Sequence, residues 1–129
     1  MTDAVNFCDS SEKIFRAVKP KFLFKSSKNK ISDTLFDLRE GEKGVSFDRA
    51  MGRPDKESCE KLRQNFNNFK GLIISLKVSQ CNEIDEILLK HTPSPRNEYH
   101  SEIFYQTTAQ CELDRVKHIL AEQSAIESY

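Results

Sequence analysis

The sequence predicts a small α+β domain in which a mixed or antiparallel sheet carries two main helices on one face. The 129 residues fit a single domain, residues 1–129, with one hydrophobic core. Short segments rich in β-branched and aromatic residues alternate with segments of helical spacing. Hydrophobic residues (37%) and charged residues (31%) lie within the range of globular proteins, on its polar side.

The first third of the chain has the weakest patterns. Residues 1–11 allow a loose segment, and residues 12–18 form a short element of either type. Pro20 disfavours helix at the residue before it, so the lysine-rich stretch that follows is interpreted as a loop or an edge strand. The apolar residues of segment 31–38 follow neither a helical nor a strand spacing consistently. Residues 45–48 alternate apolar and polar side chains, which predicts a short strand.

The middle of the chain has clearer signals. Residues 55–67 are predicted to be a helix that ends before Gly71, with a stripe at helical spacing made of Cys59, Leu62, Phe66 and Phe69. Residues 72–78 form an almost continuous apolar run, which predicts a central strand. Ser79 can cap a short helix after it, and residues 86–91 fit either a helix or a strand.

Two elements are predicted at the end of the chain. Residues 99–105 are interpreted as a final strand, and residues 108–127 as the last helix. The apolar stripe of that helix consists of Ala109, Leu113, Val116, Ile119 and Leu120. We expect this stripe to pack on the protein's own sheet, although a partner helix could also cover it.

Charge is unevenly distributed in a chain whose formal net charge is zero. Residues 1–30 carry seven Lys or Arg against three Asp or Glu, and residues 97–129 carry two against six. This basic head and acidic tail could face each other, face a second copy, or serve different partners.

Residues 19–30 contain five lysines and no acidic residue, around an apolar Phe-Leu-Phe centre. A basic stretch with interleaved aromatics suits a phosphate-bearing or acidic partner. The candidate residues for binding nucleic acid or an acidic partner are Lys19, Lys21, Lys25, Lys28, Lys30, Phe22 and Phe24. The alternative is a solvated sheet edge whose Phe-Leu-Phe centre points inward.

Cysteine spacing and hydropathy limit the class of protein. Cys8, Cys59, Cys81 and Cys111 are widely spaced, and the chain has neither a leader-like apolar start nor an apolar run long enough to span a membrane. These features predict a reduced cytoplasmic protein with mostly buried thiols and no membrane contact. No close His or Cys pair and no glycine-rich loop or nucleophile motif is present, so we expect no metal and no cofactor.

Four short segments carry a resemblance: Arg16-Ala17-Val18, residues 45–49, residues 74–76 and residues 97–103. Together they are similar to a loosely defined group of small uncharacterised bacterial proteins of about this length. That resemblance implies a compact α+β domain and no established activity. Members of such groups often sit in defence or toxin–antitoxin operons, which is an association and not a mechanism.

The candidate catalytic residues are His100, Asp48, Arg49 and Arg16. Asp48 and Arg49 end a predicted strand, and His100 shares a strand face with Glu102. A histidine beside a carboxylate can act as a general base, and Arg16 could contact an anion. The alternative is a solvent-facing polar pair or a structural salt bridge.

The sequence therefore favours a non-enzymatic protein-binding module over an enzyme. We expect a small subunit, or an antitoxin-type or immunity-type partner, in a bacterial multi-gene defence-like system, bound to a larger protein or to itself. Two alternatives remain open. One is a nucleic-acid-binding accessory protein that uses the stretch from Lys19 to Lys30. The other is a small hydrolase or transferase that uses His100 with Asp48 and Arg49.

Overall fold

The structure is a computed structural model that describes residues 9–19, 23–24 and 27–129, with side chains described for 9–19 and 31–129. In chain order its strands are β1 (Lys13–Val18), β2 (Leu23–Phe24), β3 (Ser27–Ile31), β4 (Val45–Arg49), β5 (Leu72–Lys77), β6 (Ile87–His91), β7 (His100–Tyr105) and β8 (Ala125–Glu127). The helices are α1 (Asp55–Asn65), α2 (Val78–Asn82) and α3 (Gln110–Gln123), and a 3₁₀ helix covers Asp33–Phe36.

Six of these strands form one antiparallel sheet in the order β6-β7-β4-β1-β5-β8, and β2 pairs with β3 in a separate two-stranded ladder. The predicted α+β fold is therefore confirmed, and its sheet is antiparallel. The strands expected near residues 45–48 and 99–105 are present, and residues 86–91 form a strand rather than a helix. Among the described residues, no helix combines the length and the apolar composition that a membrane span requires.

Helices cover both faces of the sheet, so the prediction that they share one face was wrong. On one face α1 contributes Cys59 and Leu62 to a small core with Phe15 and Ile73. On the other face α2, α3 and the 3₁₀ helix enclose a larger core. The reason lies in β1, where Ile14 faces the larger core and the next residue faces the smaller one. This burial on both faces also hid the strand periodicity of residues 12–18.

α1 ends earlier than its apolar spacing predicted. The helix stops at Asn65, and Asn67 and Asn68 adopt left-handed backbone conformations with φ of 55° and 59°. Asparagine tolerates this conformation better than most residues, so two in succession turn the chain out of the helix. Phe66 and Phe69 therefore leave the buried stripe, and Phe66 is 56% exposed.

The predicted last helix is shorter and is followed by a strand. α3 ends at Gln123, where the backbone N–H of Ser124 donates to the carbonyls of Leu120 and Ala121. The next residues form β8, which pairs with β5, so β5 is next to the sheet edge rather than central. The predicted docking of the final helix on its own sheet is confirmed by Val116 and Leu120, which lie in the larger core.

Candidate functional site

A cleft opens where β1 and β4 separate. The two strands pair at only two positions, Ile14 with Arg49 and Phe15 with Asp48, whereas β1 continues to pair with β5 as far as Val18. The resulting cleft has a volume of about 420 Å³ and lies between β1, β4, the start of β7 and the chain that leaves α1. Its volume falls in the range of small-ligand sites.

Arg16 spans the gap between the separated strands. Its Nη1 donates to the carbonyl of Ser46 at 2.7 Å and its Nε to the carbonyl of Leu35 at 3.2 Å. Burial, reinforced by the nearby charge of Arg39, lowers the pKa of Arg16 to about 10, so it stays charged at neutral pH. The guanidinium also lies 5.8 Å from the centre of the Phe47 ring. Arg16 therefore lines the cleft mainly as a brace between strands.

His100 is oriented by contacts on both ring nitrogens. Nδ1 lies 2.9 Å from the carbonyl oxygen of Thr92 and 3.0 Å from its hydroxyl, and Nε2 lies 3.2 Å from Ser46 Oγ. A carbonyl can only accept, so in the neutral imidazole Nδ1 carries the hydrogen and Nε2 accepts from the Ser46 hydroxyl. Ser46 and His100 thus form a hydroxyl–imidazole pair at the cleft.

Asp48 is the cross-strand neighbour of His100 on the same face of the sheet. It is 4% exposed, and its Oδ1 accepts from Nδ2 of Asn97 at 2.8 Å. Its Oδ2 is buried and has no hydrogen-bond partner among the described residues. Burial raises the pKa of Asp48, opposed by the Asn97 hydrogen bond and by the charges of His100, Arg53 and Lys61.

Arg49, the fourth candidate, lies outside the cleft. Strand alternation turns it to the opposite face, where its Nε and Nη2 each donate to a carboxylate oxygen of Glu12 at 2.8 Å. Both side chains are buried, with exposures of 10% and 8%. The structure thus places His100, Asp48 and Arg16 in the lining of one cleft. It assigns Arg49 to an ion pair that ties the start of β1 to the end of β4.

The lysine-rich stretch meets the cleft at its first residue. Lys19 is exposed and lines the cleft. Lys21, Phe22 and Lys25 lie outside the described residues. Phe24, Lys28 and Lys30 lie in β2 and β3, and only the backbone of these three residues is described.

Electrostatically, the cleft has more cationic than acidic side chains. The cations are Arg16, Lys19, Arg39 and Arg96, and the acids are Glu42 and Asp48. Four phenylalanines also line it, namely Phe15, Phe47, Phe66 and Phe69. The cleft therefore combines positive charge, aromatic surface and one buried carboxylate.

The chain after α1 is held in place at the cleft. Nη1 of Arg63 donates to the carbonyls of Phe69 at 3.0 Å and Gly71 at 2.7 Å. A Cβ on Gly71 would lie 2.4 Å from the Phe69 ring, so the missing side chain lets that ring lie across the backbone. These contacts hold the segment that carries Phe69. Phe66 and Phe69 together form the aromatic wall of the cleft.

Several cleft residues escaped the sequence analysis. Ser46 and Asn97 contact His100 and Asp48, whereas Arg39 and Arg96 contribute charge. Ser46 could have been found from the predicted strand, because it lies two residues before Asp48 on the same face. The side chains described contain no cluster of three His, Cys, Asp or Glu that could hold a metal ion.

Comparison with known proteins gives no match for this chain among family models, curated proteins or solved structures. Any functional assignment therefore depends on the geometry and chemistry of the cleft.

Proposed function

We propose that the protein is a non-enzymatic binding module that recognises an acidic partner at this cleft. In the first form of this proposal, the partner is a larger bacterial protein. This chain is then its small subunit, or its antitoxin-type or immunity-type partner. The observation that carries it is the charge of the lining, where four cations oppose two carboxylates. Buried free thiols at Cys59 and Cys81 support a reduced cytoplasmic setting.

The cleft supports binding better than the catalysis suggested by the sequence. The alternative of a hydrolase or transferase uses His100 with Asp48 and Arg49, but Arg49 is paired with Glu12 on the other face. Arg16 already donates to two backbone carbonyls. What remains is a hydroxyl–imidazole pair beside a rim of positive charge, which suits recognition of an anion.

A second candidate is binding of nucleic acid, and the exposed Phe66 specifically favours it. Bases stack on aromatic rings next to basic side chains in proteins that bind single strands. Lys19, which lines the cleft, is the first lysine of the stretch from residue 19 to residue 30.

A charge-reversal experiment tests whether the cleft recognises acidic partners. The probes are a fluorescein-labelled polyglutamate peptide and a fluorescein-labelled single-stranded oligonucleotide, titrated at low salt and followed by anisotropy. We expect Arg96→Glu to weaken binding of at least one probe by about tenfold, since it reverses an exposed charge at the cleft. Binding should also weaken as salt rises.

Lys56→Glu is the matched control, because it makes the same charge change at an exposed position on α1 that does not line the cleft. Its affinity should stay within about twofold of that of the native protein. Failure of both probes to bind the native protein, or equal losses in the two variants, would refute the proposal.

A further inference from the structure

We infer that the cleft binds a nucleotide, either free or as an unpaired residue of a single strand. The inference rests on the second form of the proposed function and names the ligand of that same site. Three features of the cleft carry it: an orphaned buried carboxylate oxygen, an exposed aromatic wall and a cationic rim. Each matches a different part of a nucleotide.

The carboxylate oxygen calls for a neutral ligand group that donates a hydrogen bond. Oδ2 of Asp48 is buried without a partner among the described residues, although Oδ1 is satisfied by Asn97. A buried acceptor without a donor is costly, and a phosphate or carboxylate brought beside it would be repelled. Base edges carry N–H groups, such as the exocyclic amines of adenine and cytosine, that can donate to a carboxylate.

The aromatic wall provides a surface for the base. Phe66 exposes more than half of its surface, and Phe69, whose ring lies across Gly71, lines the same cleft. An exposed phenylalanine ring leaves apolar surface in water, which does not stabilise the isolated protein. Its position at a ligand-sized cleft therefore favours a flat apolar group as its partner. Arg63 holds the backbone of this segment, so the wall is preformed.

The rim accounts for the phosphate. Lys19, Arg39 and Arg96 line the cleft, and cationic side chains of these types bind phosphate oxygens. An acidic peptide could use this charge, but its carboxylates would use neither the stacking surface nor the buried acceptor. The combination therefore favours a nucleotide.

Anisotropy titrations of the full chain test this inference with three probes at one salt concentration. They are a labelled single-stranded oligonucleotide of mixed sequence, a labelled polyglutamate of equal charge, and unlabelled mononucleotides used as competitors. We expect the oligonucleotide to bind at least tenfold more tightly than polyglutamate. Competition by mononucleotides would identify free nucleotides as sufficient ligands, whereas its absence with tight strand binding would assign the site to a strand.

Two variants locate the contact. Phe66→Ser should weaken oligonucleotide binding by about fivefold to tenfold and leave polyglutamate binding unchanged. Tyr129→Ser is its control, because Tyr129 is also an exposed aromatic, at 48%, and does not line the cleft. Asp48→Asn should change the relative affinities of oligonucleotides that differ only in base composition.

The outcomes separate the inference from the proposed function. Polyglutamate binding that matches or exceeds oligonucleotide binding would overturn the inference and leave an acidic protein partner standing. If the native protein bound neither probe, both the inference and the proposed function would be refuted. Unchanged oligonucleotide binding in Phe66→Ser, together with unchanged base preference in Asp48→Asn, would also overturn the inference, since neither group would then touch the ligand.

Discussion

At the scale of single residues, Asp48 is one of three described residues with a buried polar side-chain atom that has no hydrogen-bond partner, together with Ser58 and His91. The fold buries its carboxylate, supplies one donor from Asn97 and leaves the second oxygen without a partner among the described residues. Such a group lowers the stability of the folded state, because burial penalises the ionised form. Functional sites commonly retain groups of this kind, since a ligand can complete their hydrogen bonds.

The stability of the protein should report this cost through its pH dependence. The pKa of Asp48 is raised in the folded state above 3.8, so its contribution to stability is largest below pH 3.8 and is lost as pH rises towards the folded pKa. Asp48→Asn removes this titration. The difference in Tm between Asp48→Asn and the native protein should therefore shift in favour of the variant between about pH 3.5 and pH 7.

Thermal melts of both proteins across that pH range measure the effect. One pKa unit corresponds to about 1.4 kcal/mol, or about 3–5 °C in a domain of this size. Asn97→Asp, by contrast, should lower the Tm at pH 7 because it places a second carboxylate beside Asp48. A difference in Tm between Asp48→Asn and the native protein that does not change with pH would show that burial does not penalise the ionised form of Asp48.

Sequence reasoning found part of the site because strand alternation is a strong rule. His100 and Asp48 were both candidates, and they do meet on one sheet face. The same rule separates Asp48 from Arg49, since neighbours in a strand point to opposite faces. What could not be predicted was the separation of β1 from β4, because it depends on long-range pairing of β1 with β5 and on the Arg16 brace.

At the scale of elements, local signals succeeded where one segment determines its own structure. The apolar spacing predicted α1, and the β-rich run predicted β5, each within two residues of the observed ends. β8 was missed because its three residues form a strand only by adding to the edge of β5. Likewise, Phe66 was assigned to the buried stripe because spacing alone does not show that Asn67 and Asn68 end the helix.

The placement of the helices predicts different reactivities for their cysteines. Cys59 on α1 and Cys81 on α2 are buried, and burial raises the pKa of their thiols to about 11 and about 12. Cys111 on α3 is exposed. In a Cys8→Ser background, a disulfide reagent such as DTNB should therefore modify one thiol of the native protein at least 100-fold faster than the others, because thiolates react and buried thiols are inaccessible.

Addition of denaturant should then release two further thiols, from Cys59 and Cys81. The control is Cys8→Ser/Cys111→Ser, in which the fast phase should disappear. Rapid labelling of that double variant under native conditions would mean that α1 or α2 opens readily, contrary to the packing described.

At the scale of the whole molecule, the basic head and the acidic tail of this neutral chain contact each other at Lys13 and Glu127. Nζ of Lys13 in β1 lies 3.2 Å from Oε2 of Glu127 in β8 and 2.7 Å from Oδ2 of Asp55. The same Glu127 oxygen accepts from the Ser75 hydroxyl at 2.6 Å. This network crosses β5, so it joins the two ends of the sequence within one edge of the sheet.

A double-mutant cycle should show that this contact between head and tail stabilises the fold. The side chain of Glu127 is only 7% exposed, so Lys13→Met leaves a buried carboxylate with one fewer donor. We expect Lys13→Met and Glu127→Gln each to lower the free energy of unfolding by about 1–3 kcal/mol. The double variant should lose less than the sum, with a coupling of about 1 kcal/mol measured by urea unfolding.

The ion pair between Arg115 and Glu86 provides the comparison, because half of the Arg115 side chain is exposed. Its coupling should be smaller, and 0.5 M NaCl should reduce it further, since exposed charges are screened. The coupling of Lys13 to Glu127 should largely persist at that salt concentration. A cycle that gives no coupling, or one that salt abolishes as readily as the control, would mean that backbone pairing of β8 with β5 joins the two ends without help from their charges.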